Sequence, residues 1–149
     1  MFLFLNRCNF DVIAFMVQSN SFLYISDNTG VAKVKIINLI NSKTYQKIYS
    51  YNHFFICSIR LLKKIALKRK HLYKVREKHI VFLLRTTREN LRYDGSLFKF
   101  FMNDAILLKK NTKALAISRI YGPATREVIV LKKIDKLFSR IIVLSKCVV

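Results

Sequence analysis

Glycine, proline and tryptophan are nearly missing from this chain, at three, one and none in 149 residues. Three glycines scattered at positions 30, 95 and 122 cannot build a phosphate-cradling loop, which excludes the common nucleotide-binding motifs. Acid is scarce as well. Asp27, Asp94 and Asp104 stand in turn contexts, where a carboxylate bonds its own backbone, so they are poor candidates for catalytic acids. His53, His71 and His79 lie beside strand-like or basic segments, with no Ser or Cys motif that would complete a triad. Cys8, Cys57 and Cys147 are odd in number and far apart, which argues against a disulfide framework and CxxC chemistry. His53 and Cys57 are neighbours in sequence, but further ligands at zinc-site spacing are missing. Packed thiols in a reducing compartment are the simpler reading. The sequence thus offers no support for an enzyme, and no metal, cofactor or small-molecule substrate is expected.

Long apolar runs are also lacking. Stretches 12–17, 80–84 and 141–144 fall far short of the ~20 apolar residues that a spanning helix needs. Residues 1–11 have no charged n-region and no small-residue cleavage site, and are poor in the Arg and Ser of a transit peptide. No membrane span and no targeting segment are expected.

What remains is cation and hydrocarbon. The chain carries 28 Lys and Arg against 8 Asp and Glu, a formal net charge of +20. Self-repulsion on that scale destabilises a lone compact domain, so a polyanionic partner is implied. Yet 52% of the residues are hydrophobic, which separates the chain from disordered basic tails and gives it a real core. Its 12 Phe and 7 Tyr have A/T-rich codons, whereas the scarce types have G/C-rich ones. That bias is common in organelle genomes, and a protein made inside an organelle needs no presequence.

Short strands dominate the first two thirds. Residues 21–25 precede an Asp27-Asn-Thr-Gly30 turn, with Gly30 expected at positive φ. Residues 31–36 alternate apolar and basic side chains, which places Lys33 and Lys35 on a face turned toward a partner. After an apolar run at 54–59, a basic stretch from Arg60 to Lys78 includes Lys63, Lys64, Lys68, Arg69 and Lys70, with Glu77 as its single acid. It reads as an extended hairpin or loop suited to phosphate contact. Ile80-Val-Phe-Leu-Leu84 is a buried strand. Arg85, Arg88 and Arg92 lead to Asp94-Gly95, a hairpin signal with a return strand over 96–101. Such a ribbon is marginal alone and must lie against something. Pro123 fits the first turn of a helix, along which Val128, Leu131, Ile134 and Phe138 share one face, and 140–144 reads as a final strand or tail.

Several of these segments, in order and correctly spaced, resemble the large-subunit ribosomal protein 14 family in its bacterial form. The match begins at Met16-Val-Gln-Ser-Asn-Ser21 and continues through Ser26-Asp-Asn-Thr-Gly-Val31 and Leu84-Arg-Thr-Thr87. It includes Arg92-Tyr-Asp-Gly-Ser-Leu-Phe-Lys-Phe100, Asn103-Asp-Ala-Ile-Leu-Leu108 and Arg119-Ile-Tyr-Gly-Pro-Ala-Thr-Arg-Glu127. Residues 16–149 would then be the ribosomal domain and 1–15 an N-terminal extension. The resemblance implies a mainly β chain: a closed five-stranded antiparallel β-barrel with a projecting β-ribbon and short C-terminal helices. It also implies binding to large-subunit rRNA and neighbouring ribosomal proteins, a bridge to small-subunit rRNA, and no enzymatic activity. Arg119 and Arg126 join the lysines and arginines above as expected RNA contacts. A mitochondrial ribosome is the expected location, with a plastid-type organelle as the alternative. The chain departs from the family in residues 1–15, in a longer Ile59–Arg85 segment without glycine, at Ile117 where Gly is common, and in a longer C-terminal region.

Two other classes fit less well. A free-standing single-stranded RNA-binding barrel would use aromatics such as Tyr24, Tyr73, Tyr93 and Tyr121 as stacking platforms, although strand aromatics more often pack against neighbours. A basic membrane-surface protein would need an amphipathic helix with clustered cations, which residues 124–138 supply weakly.

Overall fold

A computed structural model describes residues 17–40, 48–49, 53–63, 73–92, 94–109, 115, 117–132 and 136–149. Among these residues nine strands and two helices follow one another: β1 (Val17–Gln18), β2 (Phe22–Ile25), β3 (Val31–Leu39), β4 (Ile48–Tyr49), β5 (Phe54–Leu62), β6 (Lys78–Arg85), β7 (Asn90–Leu91), β8 (Leu97–Phe98), β9 (Asp104–Leu108), α1 (Glu127–Leu131) and α2 (Lys136–Leu144). Five of them close a barrel in the order β2-β3-β5-β6-β9. The seams β2/β3, β3/β5, β5/β6 and β6/β9 are antiparallel. The closing seam is parallel, with Tyr24 opposite Asp104 and Ile25 opposite Ala105. A parallel seam needs a long connection between its strands, and here the rest of the barrel supplies it.

The period-2 alternation of strands decides what each wall faces. Leu23, Ile25, Val31, Val34, Ile36, Phe55, Cys57, Ile59, Val81, Leu83, Ala105 and Leu107 fill the barrel. On β6 and β9 the alternate residues Phe82, Leu84, Ile106 and Leu108 form a second core outside it, against Val128, Leu137, Phe138 and Ile141 of the helices. A strand buried on both faces reads as a continuous apolar run, which explains Ile80–Leu84. Phe54, Phe82 and Phe138 knit this layer together, with ring centroids 5.2 to 6.2 Å apart. The helices therefore cover the β5-β6-β9 side. Among the described residues, no such layer packs on the outward side chains of β2 and β3.

The turn between β2 and β3 is pinned by Asp27, which is fully buried. One carboxylate oxygen accepts the Thr29 amide at 2.8 Å and the Thr29 hydroxyl. The other accepts the Leu107 amide of β9 at 3.0 Å. Burial nonetheless pushes this carboxyl above its usual range, with those hydrogen bonds pulling the other way. Gly30 and Gly95 hold φ of +87° and +80°, as their turns require.

Three local expectations are corrected. The return strand of the ribbon is two residues, Leu97–Phe98, rather than the whole of 96–101, and it pairs with Asn90–Leu91. Pro123 does not begin a helix, because Ala124 is held extended by the C-terminal segment: its amide donates to the Cys147 carbonyl, and Val149 donates back. Residues 140–144 are helical, not a strand or tail. Leu137, Phe138 and Ile141 meet the second core on one helical stripe, and that burial outweighs the β preference of Ile-Ile-Val. Val128, Leu131 and Phe138 do share that core, but across two helices, with Ile134 outside the described residues.

Candidate nucleic-acid interface

The bare side of the barrel brings together residues from adjacent strands. Phe22 and Tyr24 point outward from β2, and the register sets Lys35 opposite Phe22 and Lys33 opposite Tyr24. Alternation requires this, because Leu23 between them is fully buried. The two residues are 48% and 45% exposed, large for aromatics in a chain with an ample core. The Lys33 ammonium lies over both, 4.8 Å from the Phe22 centroid and 5.2 Å from that of Tyr24. A register shift on β3 between Val31 and Val34 accompanies this outward placement of Lys33.

Beyond Tyr24 the surface continues into a second cation–aromatic pair. Tyr121 donates its amide to the Ser26 carbonyl and is itself 54% exposed. The Lys63 ammonium sits 5.6 Å from its ring and donates at 2.9 Å to the Asp27 carbonyl. Asn28 binds Ser118 side chain to side chain at 2.7 Å, tying the β2/β3 turn to the segment that bears the exposed Arg119.

The described acids are all engaged elsewhere. Asp27 is buried; Asp104 pairs with Arg85 at 2.9 Å, Glu127 with Arg92 at 2.8 Å and Glu89 with Lys99 at 2.9 Å. Glu77 lies 3.3 Å from His79 and accepts the Lys74 amide. Asp94 caps its own turn by accepting from the Ser96 hydroxyl and amide, which holds it below the usual carboxylate range. None of these described acids is ion-paired with Lys33 or Lys35, although Asp104 stands opposite Tyr24 on β9 and Asp27 interacts with Lys63.

The expected RNA contacts separate into groups. Lys33 and Lys35 share the aromatic wall, Lys63 stands at its end, and Arg88, Arg119 and Arg126 are exposed. Lys64, Lys68, Arg69 and Lys70 lie outside the described residues, as do Tyr93 and the 1–15 extension. Arg85 departs from the expectation. It is 6% exposed; Nε meets Asp104 Oδ2 at 2.9 Å and Nη2 donates to the Tyr121 carbonyl at 2.7 Å. Burial lowers its pKa and raises that of Asp104, each partly countered by the partner. Its guanidinium is used by the fold, joining β6, β9 and the 121–122 turn. Arg92 is half-buried and also used internally: it donates to Glu127 and to the Val149 carbonyl, each at 2.8 Å, and covers the Phe98 ring.

Of the tyrosines named as possible platforms, Tyr24 and Tyr121 face outward, while Tyr73 packs edge-on to His79 beside the barrel core. Phe22 escaped the sequence reading. Its signal was present: residues 22 and 24 share a face across buried Leu23, but the cross-strand register to Lys33 lies outside any local pattern.

Among the described residues no group of His, Cys, Asp and Glu could hold a metal ion, and no helix is long and apolar enough to cross a membrane. The family model of ribosomal protein L14p/L23e matches residues 16–149, so this closed barrel with its helical flank belongs to a ribosomal protein: the chain is a member of the L14p/L23e family.

Proposed function

We propose that the chain is a structural constituent of the large ribosomal subunit, binding large-subunit rRNA and contributing to the intersubunit face during translation. The observation that carries the reading is the β2-β3 wall, where Lys33 and Lys35 have no acid paired with them among the described residues while the helices cover the opposite side. Phosphate contacts neutralise such a field and release counterions, which makes binding strongly salt-dependent. Arg88, Arg119 and Arg126 extend the basic surface toward the ribbon and the 119–127 segment. Neighbouring large-subunit proteins and small-subunit rRNA, reached through a bridge, complete the partners. The work is positional, so neither catalysis nor a small-molecule substrate enters. Residues 16–149 act as the ribosomal domain, with 1–15 an extension that docks on a neighbouring protein. The excess of Phe and Tyr over Gly, Pro and Trp, which fits an A/T-rich gene, supports a mitochondrial ribosome, with a plastid-type organelle as the alternative.

Gradient sedimentation tests this. The chain should travel with large subunits through a moderate salt wash and leave only at high salt. Recovery in the free fractions would refute the ribosomal role, and recovery there bound to RNA would favour a free-standing single-stranded RNA-binding barrel. Arg88→Glu should weaken subunit joining while leaving stability within about 0.5 kcal/mol, because the side chain is exposed.

A further inference from the structure

The outward faces of β2 and β3 do more than present charge. Phe22 and Tyr24 are neighbours on one side of β2, so their Cα atoms lie about 6.6–7 Å apart. Both residues are about half exposed, and the Lys33 ammonium lies over both rings, while Asp104 opposite Tyr24 is paired with Arg85. Phosphate binding alone gives no reason for this. A lysine on an aliphatic surface would serve it equally, and exposed aromatics add cost in water. Two flat π-faces beside two cations instead match a nucleotide whose base is free to stack while its phosphate meets the ammonium. A base inside an A-form duplex cannot reach such a platform, because its faces are covered by neighbours and its wide groove displays hydroxyls and edges.

We infer that Phe22, Tyr24 and Lys33 form a stacking site for one or two unpaired nucleotides of RNA, distinct from the phosphate contacts made by the remaining cations. The inference rests on the rRNA-binding role above and names the kind of RNA this wall selects. Lys33 has two states in it. In the free protein it shields the rings; on binding it swings to the phosphate and the base takes its place. Lys35, opposite Phe22, supplies the second cation along the strand.

The chain has no tryptophan, so Tyr24→Trp creates a single reporter on the platform. The probes are a labelled uridine octanucleotide, the same length of adenosine, and a fully paired RNA duplex, each added to the full-length chain. Single strands should quench the Tyr24→Trp emission, whereas the duplex should bind without quenching. Phe22→Ala combined with Tyr24→Ala should lose about tenfold or more in single-strand affinity and change duplex affinity less than about twofold. Phe22→Tyr, which keeps a stacking ring, should retain single-strand affinity within about twofold, whereas Phe22→Leu, which keeps apolar bulk without a π-face, should lose it. Equal losses for duplex and single strand would overturn the site. So would unchanged single-strand affinity, the result expected if a neighbouring protein covers these rings. Absence of binding to every probe at low salt would instead refute the RNA-binding role itself.

Discussion

Gly122 and Gly95 have almost the same backbone, with φ of +90° and +80°, but opposite surroundings. A Cβ on Gly95 would meet nothing within 4 Å. One on Gly122 would lie 2.0 Å from Arg85 Nη1 and 3.1 Å from Cζ. Gly95→Ala should therefore cost only the left-handed backbone penalty, about 1–2 kcal/mol. Gly122→Ala carries the same penalty and also drives the guanidinium off its seat. The 2.7 Å bond to the Tyr121 carbonyl is then lost, and Asp104 is left half-buried without a close cation. A hydrogen bond to a charged group is worth about 1.5–3 kcal/mol, so the total should reach roughly 2.5–5 kcal/mol. In urea this is a midpoint lower by about 1–2 M for Gly122→Ala, and by under about 1 M for Gly95→Ala. The cycle closes with Arg85→Ala. In that background Gly122→Ala should cost no more than Gly95→Ala does, because the obstructing group is gone. Equal midpoints for the two alanine variants in the otherwise unaltered chain would refute the role assigned to Arg85.

Three further outcomes follow from the same geometry. Phe138→Ala should destabilise by about 3–5 kcal/mol, since the ring is 5% exposed and meets both Phe54 and Phe82; a loss under about 1 kcal/mol in urea unfolding would contradict the second core. Burial raises the Asp27 carboxyl above 3.8, so its contribution is fully present below that value and is lost as pH rises through the folded value. The stability of the parent chain relative to Asp27→Asn should therefore fall as pH rises over that window, and a rise in paired Tm measurements would reverse the sign. The buried Cys57 thiol, pushed up to about 12, should resist iodoacetamide at pH 8 in the folded chain while exposed Cys147 reacts; peptide mapping that finds Cys57 alkylated first would show the barrel open.

The sequence by itself determined the strand-rich character of the chain, the two turn glycines at positive φ, the buried β6 and the basic excess that calls for a polyanion. These are local: alternation, a turn residue and a charge count need no knowledge of neighbours. Family motifs, also local and collinear, carried the barrel itself. Tertiary structure decided the rest. Arg85 and Arg88 look alike in sequence, yet one is locked between Asp104 and Tyr121 while the other faces solvent. The apolar run at 141–144 has β preference, but a helical stripe fits the second core better. Phe22 and Lys33 are eleven positions apart, and only the β2/β3 register makes them one surface. Pairing register and burial are properties of the closed barrel as a whole, which is why no window of sequence could have decided them.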